Sequence, residues 1–230
     1  MRHFFYVIVF IVYICSRVSN AFAQEQPIRI GIFDFPPFFS KNAQGKAYGT
    51  LVDLANRRFA EIGRDYVYQI FSPPVMIERV INGDVDVIMT IKHPALEGKV
   101  LYSKHPIGQL TMVAYHDNKL PTITDISDFA GKKVIVINGY GYGGYLDKLK
   151  ALKPAVQFVN AHDIRSGLEM LMVARGEYFL SYLKPSQGTA YRSKQPSWLT
   201  SDLLSSYDGF WVVSKKAPHA EALLKELAGE

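Results

Sequence analysis

The sequence predicts an α/β fold divided into two lobes, and three observations carry that expectation. A strand-then-helix beat opens after residue 27, and it restarts after a loop marked by Pro121 and Gly131. About two hundred residues remain once an N-terminal leader is subtracted, enough for two small lobes that each bury a core. The leader is read from Met1, Arg2 and His3, an apolar run from Phe4 to Cys15, and Ala21-Phe22-Ala23 before Gln24. Small residues at −3 and −1 after so short an apolar run mark residues 1–23 as a cleaved secretory signal peptide rather than a membrane span.

Removing the leader changes the composition that matters. The single cysteine, Cys15, leaves with it, so a disulfide framework, a cysteine-ligated metal and a cysteine nucleophile are excluded together. Arg2 and Arg17 leave too, which lowers the formal net charge from +5 to +3. No basic run remains that would suit nucleic acid.

The elements follow in order. Ile28 to Phe33 reads as a strand, and Thr50 to Ile62 carries Leu51, Leu54, Ala55, Phe59 and Ile62 at helical spacing. Tyr66 to Phe71 reads as extended and Val75 to Ile81 as a short helix. Val85 to Met89 is a buried strand after the turn residues Asn82-Gly83-Asp84. Gln109 to Tyr115 is a further strand. The second unit starts with the strand Lys133 to Ile137, a Gly-rich turn and a helix over Tyr145 to Leu152. A strand at Gln157 to Val159, a helix from Asp163 to Ala174 and a strand over Tyr178 to Leu183 complete it. The strand Phe210 to Val213 and the amphipathic helix His219 to Leu227 close the chain.

Pieces of sequence then carry a family resemblance over nearly the whole mature chain. They are Asp34-Phe35-Pro36-Pro37-Phe38-Phe39 after the first strand, Gly45, Gly49 to Ala55, Gly83 to Ile88, Tyr102-Ser103, Ile126 to Val134 and Gly209 to Lys215. In order and spacing they resemble the periplasmic solute-binding proteins of the amino-acid type, extracellular solute-binding protein family 3, which serve ABC transporters. The resemblance implies the two-lobed periplasmic binding protein fold (type II), with two hinge strands near Gln109 to Tyr115 and Asp202 to Phe210. It places lobe 1 at residues 24–111 and 205–230 and lobe 2 at 112–204. It also implies a periplasmic location, a small-molecule ligand between the lobes, a membrane permease or sensor protein as partner, and a monomer. No cofactor, metal or nucleic acid enters this reading.

The expected ligand-binding residues are Asp34, Phe35, Phe38, Thr90, Lys92, Asn138, Tyr140, Tyr142 and Tyr182. Two prolines fix the backbone of 34–39 while its phenylalanines offer a rigid apolar wall, the alternative being that one or two rings plug the lobe core. Relatives that bind free amino acids hold the carboxylate with an arginine after the strand that ends at Met89. Here Thr90 to Lys99 contains none; Lys92 or His93 is the available substitute, although lysine is a point charge without the planar fork of arginine, and a solvated Lys92 is the alternative. Tyr182 stands where the resemblance leads one to look for an aspartate. A zwitterion needs both charges compensated, so the expected ligand is a small polar or aromatic solute and not an ordinary α-amino acid.

Asn138-Gly139-Tyr140-Gly141-Tyr142-Gly143-Gly144-Tyr145 lies between a strand and a helix, where glycines allow close backbone approach and a helix start can receive an anion. A dinucleotide reading fails for lack of an acidic residue after the next strand, which ends Phe158-Val159-Asn160. The six histidines show no metal-binding spacing, and Asp84 and Asp86 read as turn caps rather than a general acid and base. The chain therefore reads as a binding protein and not an enzyme; a sensing module, or a small exported enzyme on the same scaffold, are the alternatives.

Overall fold

The computed structural model describes residues 26–183 and 196–230; the expected leader at 1–23 lies outside the described residues. The first strand, β1 (Ile28–Ile32), alternates little and is buried almost throughout, because it has parallel neighbours on both sides. One neighbour is β4 (Tyr66–Ile70), reached after a small hairpin of β2 (Ser40–Lys41) with β3 (Ala47–Tyr48) and helix α1 (Thr50–Ile62). Helix α1 matches its periodicity, burying Val52, Ala55 and Phe59. It stops where Gly63 takes φ 66° and returns its N–H to Phe59.

Helix α2 (Pro73–Asn82) begins two residues earlier than the periodicity predicts. Pro73 and Pro74 occupy its first positions, where a missing N–H costs nothing. Strand β5 (Val87–Ile91) is displaced from the expected Val85 to Met89 for an electrostatic reason. The Asp86 carboxylate, 4 % exposed, accepts from the backbone N–H of Arg29 at 2.8 Å and from its guanidinium at 2.9 and 2.7 Å. Asp86 is thus the ion-pair partner that ties β5 to β1, not a turn cap, while Asp84 pairs with Arg79 at 3.0 Å.

Strands β6 (Val100–Tyr102) and β7 (Gly108–Asp117) follow, then β8 (Lys133–Ile137) and the short helix α3 (Tyr145–Lys150). Strand β9 (Gln157–Ala161) leads to α4 (Ile164–Met172), which Asp163 and Ser166 close with a reciprocal capping box. Strand β10 (Tyr178–Tyr182), the long β11 (Leu199–Ser214) and α5 (Ala220–Ala228) complete the described chain. No helix among the described residues is long and apolar enough to cross a membrane.

All strands but the small hairpin join a nine-stranded sheet ordered β4-β1-β5-β11-β7-β10-β8-β9, with β6 also on β11. Parallel pairs lie at both ends, β4-β1-β5 and β10-β8-β9, and the antiparallel pair β7 and β11 joins them. Strand β11 pairs with β7 over Leu199 to Gly209 and with β5 over Gly209 to Val213, so one strand serves both ends of the molecule. From periodicity only its last part, Phe210 to Val213, is legible, and the resemblance alone leads one to expect a hinge strand near Asp202 to Phe210, because Leu199 to Gly209 is polar and a register shift between Leu203 and Ser205 breaks its alternation.

Candidate functional site

A cavity of about 710 Å³ opens where the carboxyl ends of four strands converge. Strand β1 delivers Phe33, Phe35, Phe38 and Phe39, β5 delivers Thr90, Ile91, His93, Pro94 and Ala95, β8 delivers the glycine loop and β10 delivers Tyr182. Open α/β sheets present their ligand sites at such strand ends, because loops there are free to vary while the sheet holds them in place.

The wall from β1 is a tight turn: the Phe35 N–H donates to the Phe39 carbonyl at 2.8 Å, and Phe39 returns the bond at 3.1 Å. Phe35 and Phe39 are buried, whereas Phe33 and Phe38 are half-buried on the cavity side. Phe35 stacks on Phe33 with centroids 5.2 Å apart and meets Tyr140 and Tyr182 edge-on at 5.8 and 5.6 Å. Rings from both ends of the sheet therefore interlock at the cavity floor, in the edge-to-face geometry that aromatic quadrupoles favour. Asp34 does not line the cavity; its exposed carboxylate accepts from the Ser40 hydroxyl at 2.7 Å and pins the turn instead.

The glycine loop has a structural rationale that spacing alone did not supply. A Cβ on Gly139 would come 2.9 Å from Cγ of Pro74, and one on Gly143 would come 2.8 Å from Cε1 of Tyr207. A Cβ on Gly141 would meet Nε2 of His93. The loop is glycine-rich because the wall built by β5, α2 and β11 presses against it. Tyr142 is buried beneath: its hydroxyl accepts from the Ile137 N–H at 2.9 Å and donates to the Leu180 carbonyl at 3.0 Å. Its ring stacks on Tyr182 at 5.7 Å and 20°, so its edge lines the cavity while its polar end is already spent. Burial pushes the phenols of Tyr140, Tyr142 and Tyr182 well above their ordinary range, so all three stay neutral. Helix α3 spans only 6 residues, too short to supply the anion-receiving helix start that the loop suggested.

Charge is scarce in the lining. Asp147 and Lys150 are exposed and pair with each other at 3.0 Å. Lys92 lies outside the lining: it is exposed and rests its ammonium 5.5 Å from the Phe210 ring. The half-buried His93 does line the cavity, with Nδ1 accepting from the Ala95 N–H at 3.1 Å. Burial lowers the pKa of His93, partly opposed by Asp147.

Of the nine residues expected from sequence, the structure gathers Phe35, Phe38, Thr90, Tyr140, Tyr142 and Tyr182 around one cavity and leaves Asp34, Lys92 and Asn138 off it. Asn138 is exposed, where its N–H continues the sheet to Ala161. Phe33 and Pro74 were not among the expected residues, and His93 entered the sequence reading only beside Lys92 as a substitute for the missing arginine. Phe33 closes the strand expected at Ile28 to Phe33, and His93 follows the observed end of β5 at Ile91, so a position at a strand's carboxyl end is the signal that marks both; Pro74 reaches the site only through tertiary packing.

No protein-family model matches the chain, and no curated protein sequence matches it. Solved structures do. A histidine kinase sensor domain with similarity to periplasmic binding proteins superposes with a TM-score of 0.74 at 17% identity, covering 90% of this chain and 89% of that one. An ancestral arginine-binding protein bound to arginine gives 0.71 at 20% identity, covering 90% and 91%. An ABC uptake transporter substrate-binding protein from Streptococcus pneumoniae with bound histidine gives 0.71 at 18% identity, covering 88% and 84%. At such identities what is shared is the backbone arrangement, and the chain therefore carries the two-lobed α/β fold of the periplasmic binding proteins.

Proposed function

We propose that the protein is an exported binding protein that captures a small, mainly aromatic or apolar solute between two lobes and hands its presence to a membrane partner. The observation that carries this reading is the cavity itself: about 710 Å³, walled by rings from both ends of the sheet, with Asp147 and Lys150 neutralising each other in its lining. A volume of this size suits a drug-sized molecule, and pockets of this kind bind through apolar area with few polar groups. The structures with bound arginine or histidine carry charged solutes, whereas no arginine lines the cavity among the described residues. An ordinary α-amino acid would leave its charges poorly compensated in it.

In this reading the lobes comprise residues 24–111 with 205–230, and 112–204, and β7 and β11 are the hinge. Closure of the lobes over the solute would then present a new surface to the partner. A permease of an ABC transporter is the first candidate partner. The likeness to a histidine kinase sensor domain favours a membrane sensor as the second.

A thermal-shift screen of the protein purified after export tests the proposal. Neutral aromatic compounds are expected to raise the unfolding midpoint, since a ligand at about 100 times its Kd stabilises the folded state by roughly 2.7 kcal/mol. L-Arginine, L-histidine and L-glutamine are expected to leave it unchanged. A strong shift with any of these amino acids, and none with the aromatic compounds, would overturn the reading.

A further inference from the structure

Among the described residues that line the cavity, the polar group that stands out is His93. We propose, resting on the reading of the cavity as a solute site, that His93 is the polar anchor of the cleft. Its Nε2–H donates to a neutral carbonyl-type oxygen on a ring-bearing, otherwise apolar ligand.

Three observations lead there. The first concerns the tautomer: Nδ1 accepts from the Ala95 N–H at 3.1 Å, so in the neutral ring the proton sits on Nε2. The backbone assigns the ring a donor, and the 3-10 turn at Pro94–Leu96 that it caps holds the ring in place. The second concerns position. Among the described residues Nε2 meets no hydrogen-bond acceptor; it faces Gly141 of the opposite wall, in the space that a side chain there would fill. A donor in an apolar cavity without an acceptor is a group that a ligand oxygen can satisfy with little competition from the protein.

The third concerns charge. Asp147 and Lys150 cancel across 3.0 Å, and Lys92 turns away to the Phe210 ring. An ionised ligand carboxylate would find no uncommitted cation in the lining among the described residues, and an unpaired buried charge is far costlier than an unpaired neutral oxygen. The acceptor is therefore a neutral oxygen, and the carbonyl of a ketone, aldehyde, ester or amide, which accepts without donating, is the class that suits a lone donor. Burial, which lowers the pKa of His93, keeps the ring in the neutral form with this tautomer at neutral pH.

The test uses two shape-matched probes, acetophenone and α-methylstyrene, which differ in a carbonyl oxygen against a methylene group. Both are titrated into the isotope-labelled protein, purified after export, and followed by protein-observed NMR. Wild type is expected to bind acetophenone about fivefold more tightly, the ratio that one net hydrogen bond supplies. His93→Leu should abolish that preference, and an unchanged spectrum for residues away from the cleft reports that the protein is still folded. His93→Gln, which keeps an N–H donor, should restore part of it. Equal affinities in wild type, or a preference that survives in His93→Leu, would overturn the anchor and leave the apolar site standing. Binding of neither probe would overturn the anchor and the apolar-site reading together.

Discussion

Tyr142 occupies a position that residue type alone would assign to ligand contact, yet its hydroxyl satisfies the Ile137 N–H and the Leu180 carbonyl inside the protein. Tyr142→Phe should therefore cost about 1–3 kcal/mol of stability, because it leaves two buried backbone groups without a partner. Urea unfolding of the variant checks the magnitude. Affinity for an aromatic ligand should change little, since the ring remains. At His93 the sign of the pH dependence follows from a folded-state pKa below its unfolded value. The neutral ring contributes stability that is complete above about 6.5 and is lost as pH falls toward the lowered value. Urea midpoints of wild type and His93→Gln should thus converge on acidification from pH 7.5 to 5, and a gap that widens would contradict the assignment. Aromatic residues were easy to find in the sequence; which end of each one faces the cavity was not, because hydrogen bonds to distant backbone groups decide it.

At the scale of elements, the glycine loop after β8 is the clearest case of a local pattern with a distant cause. Gly141 has φ −86°, which any residue can adopt, so the only objection to a side chain is its contact with His93. Gly141→Ala should destabilise the protein by about 1–3 kcal/mol through overpacking. The same change should cost clearly less in a His93→Ala background. A double-mutant cycle by chemical denaturation gives the coupling, and an additive result would mean that the two walls do not press on each other. Gly143, by contrast, has φ 62°, and its substitution would mix strain with contact. Helix α1 and strand β8 match their sequence-predicted bounds because hydrophobic period and terminal glycines define them locally. Strand β5 starts late because Arg29, 57 residues upstream, takes Asp86 out of the strand. No window of sequence contains that pair.

At the scale of the whole molecule, the cavity is shared between chain segments far apart, with Phe35 meeting Tyr140 and Tyr182, and His93 meeting Gly141. Hydrogen exchange with and without a bound aromatic ligand should show added protection in residues 33–39, 90–95 and 139–144 together. Protection confined to one of these segments would mean that the ligand touches a single wall. By itself the sequence determined the α/β class, the order of nearly all its elements, and the enrichment of rings and glycines after particular strands. These are set by hydrophobic period, turn chemistry and composition within a few residues. Only the tertiary structure decided that β11 runs from Leu199 to Ser214 through both ends of the sheet, and that Lys92 leaves the cavity while His93 enters it. It also decided that the glycines answer to Pro74, His93 and Tyr207. Each of these depends on contacts between residues distant in the chain, and such contacts exist only once the sheet has brought its two parallel ends together.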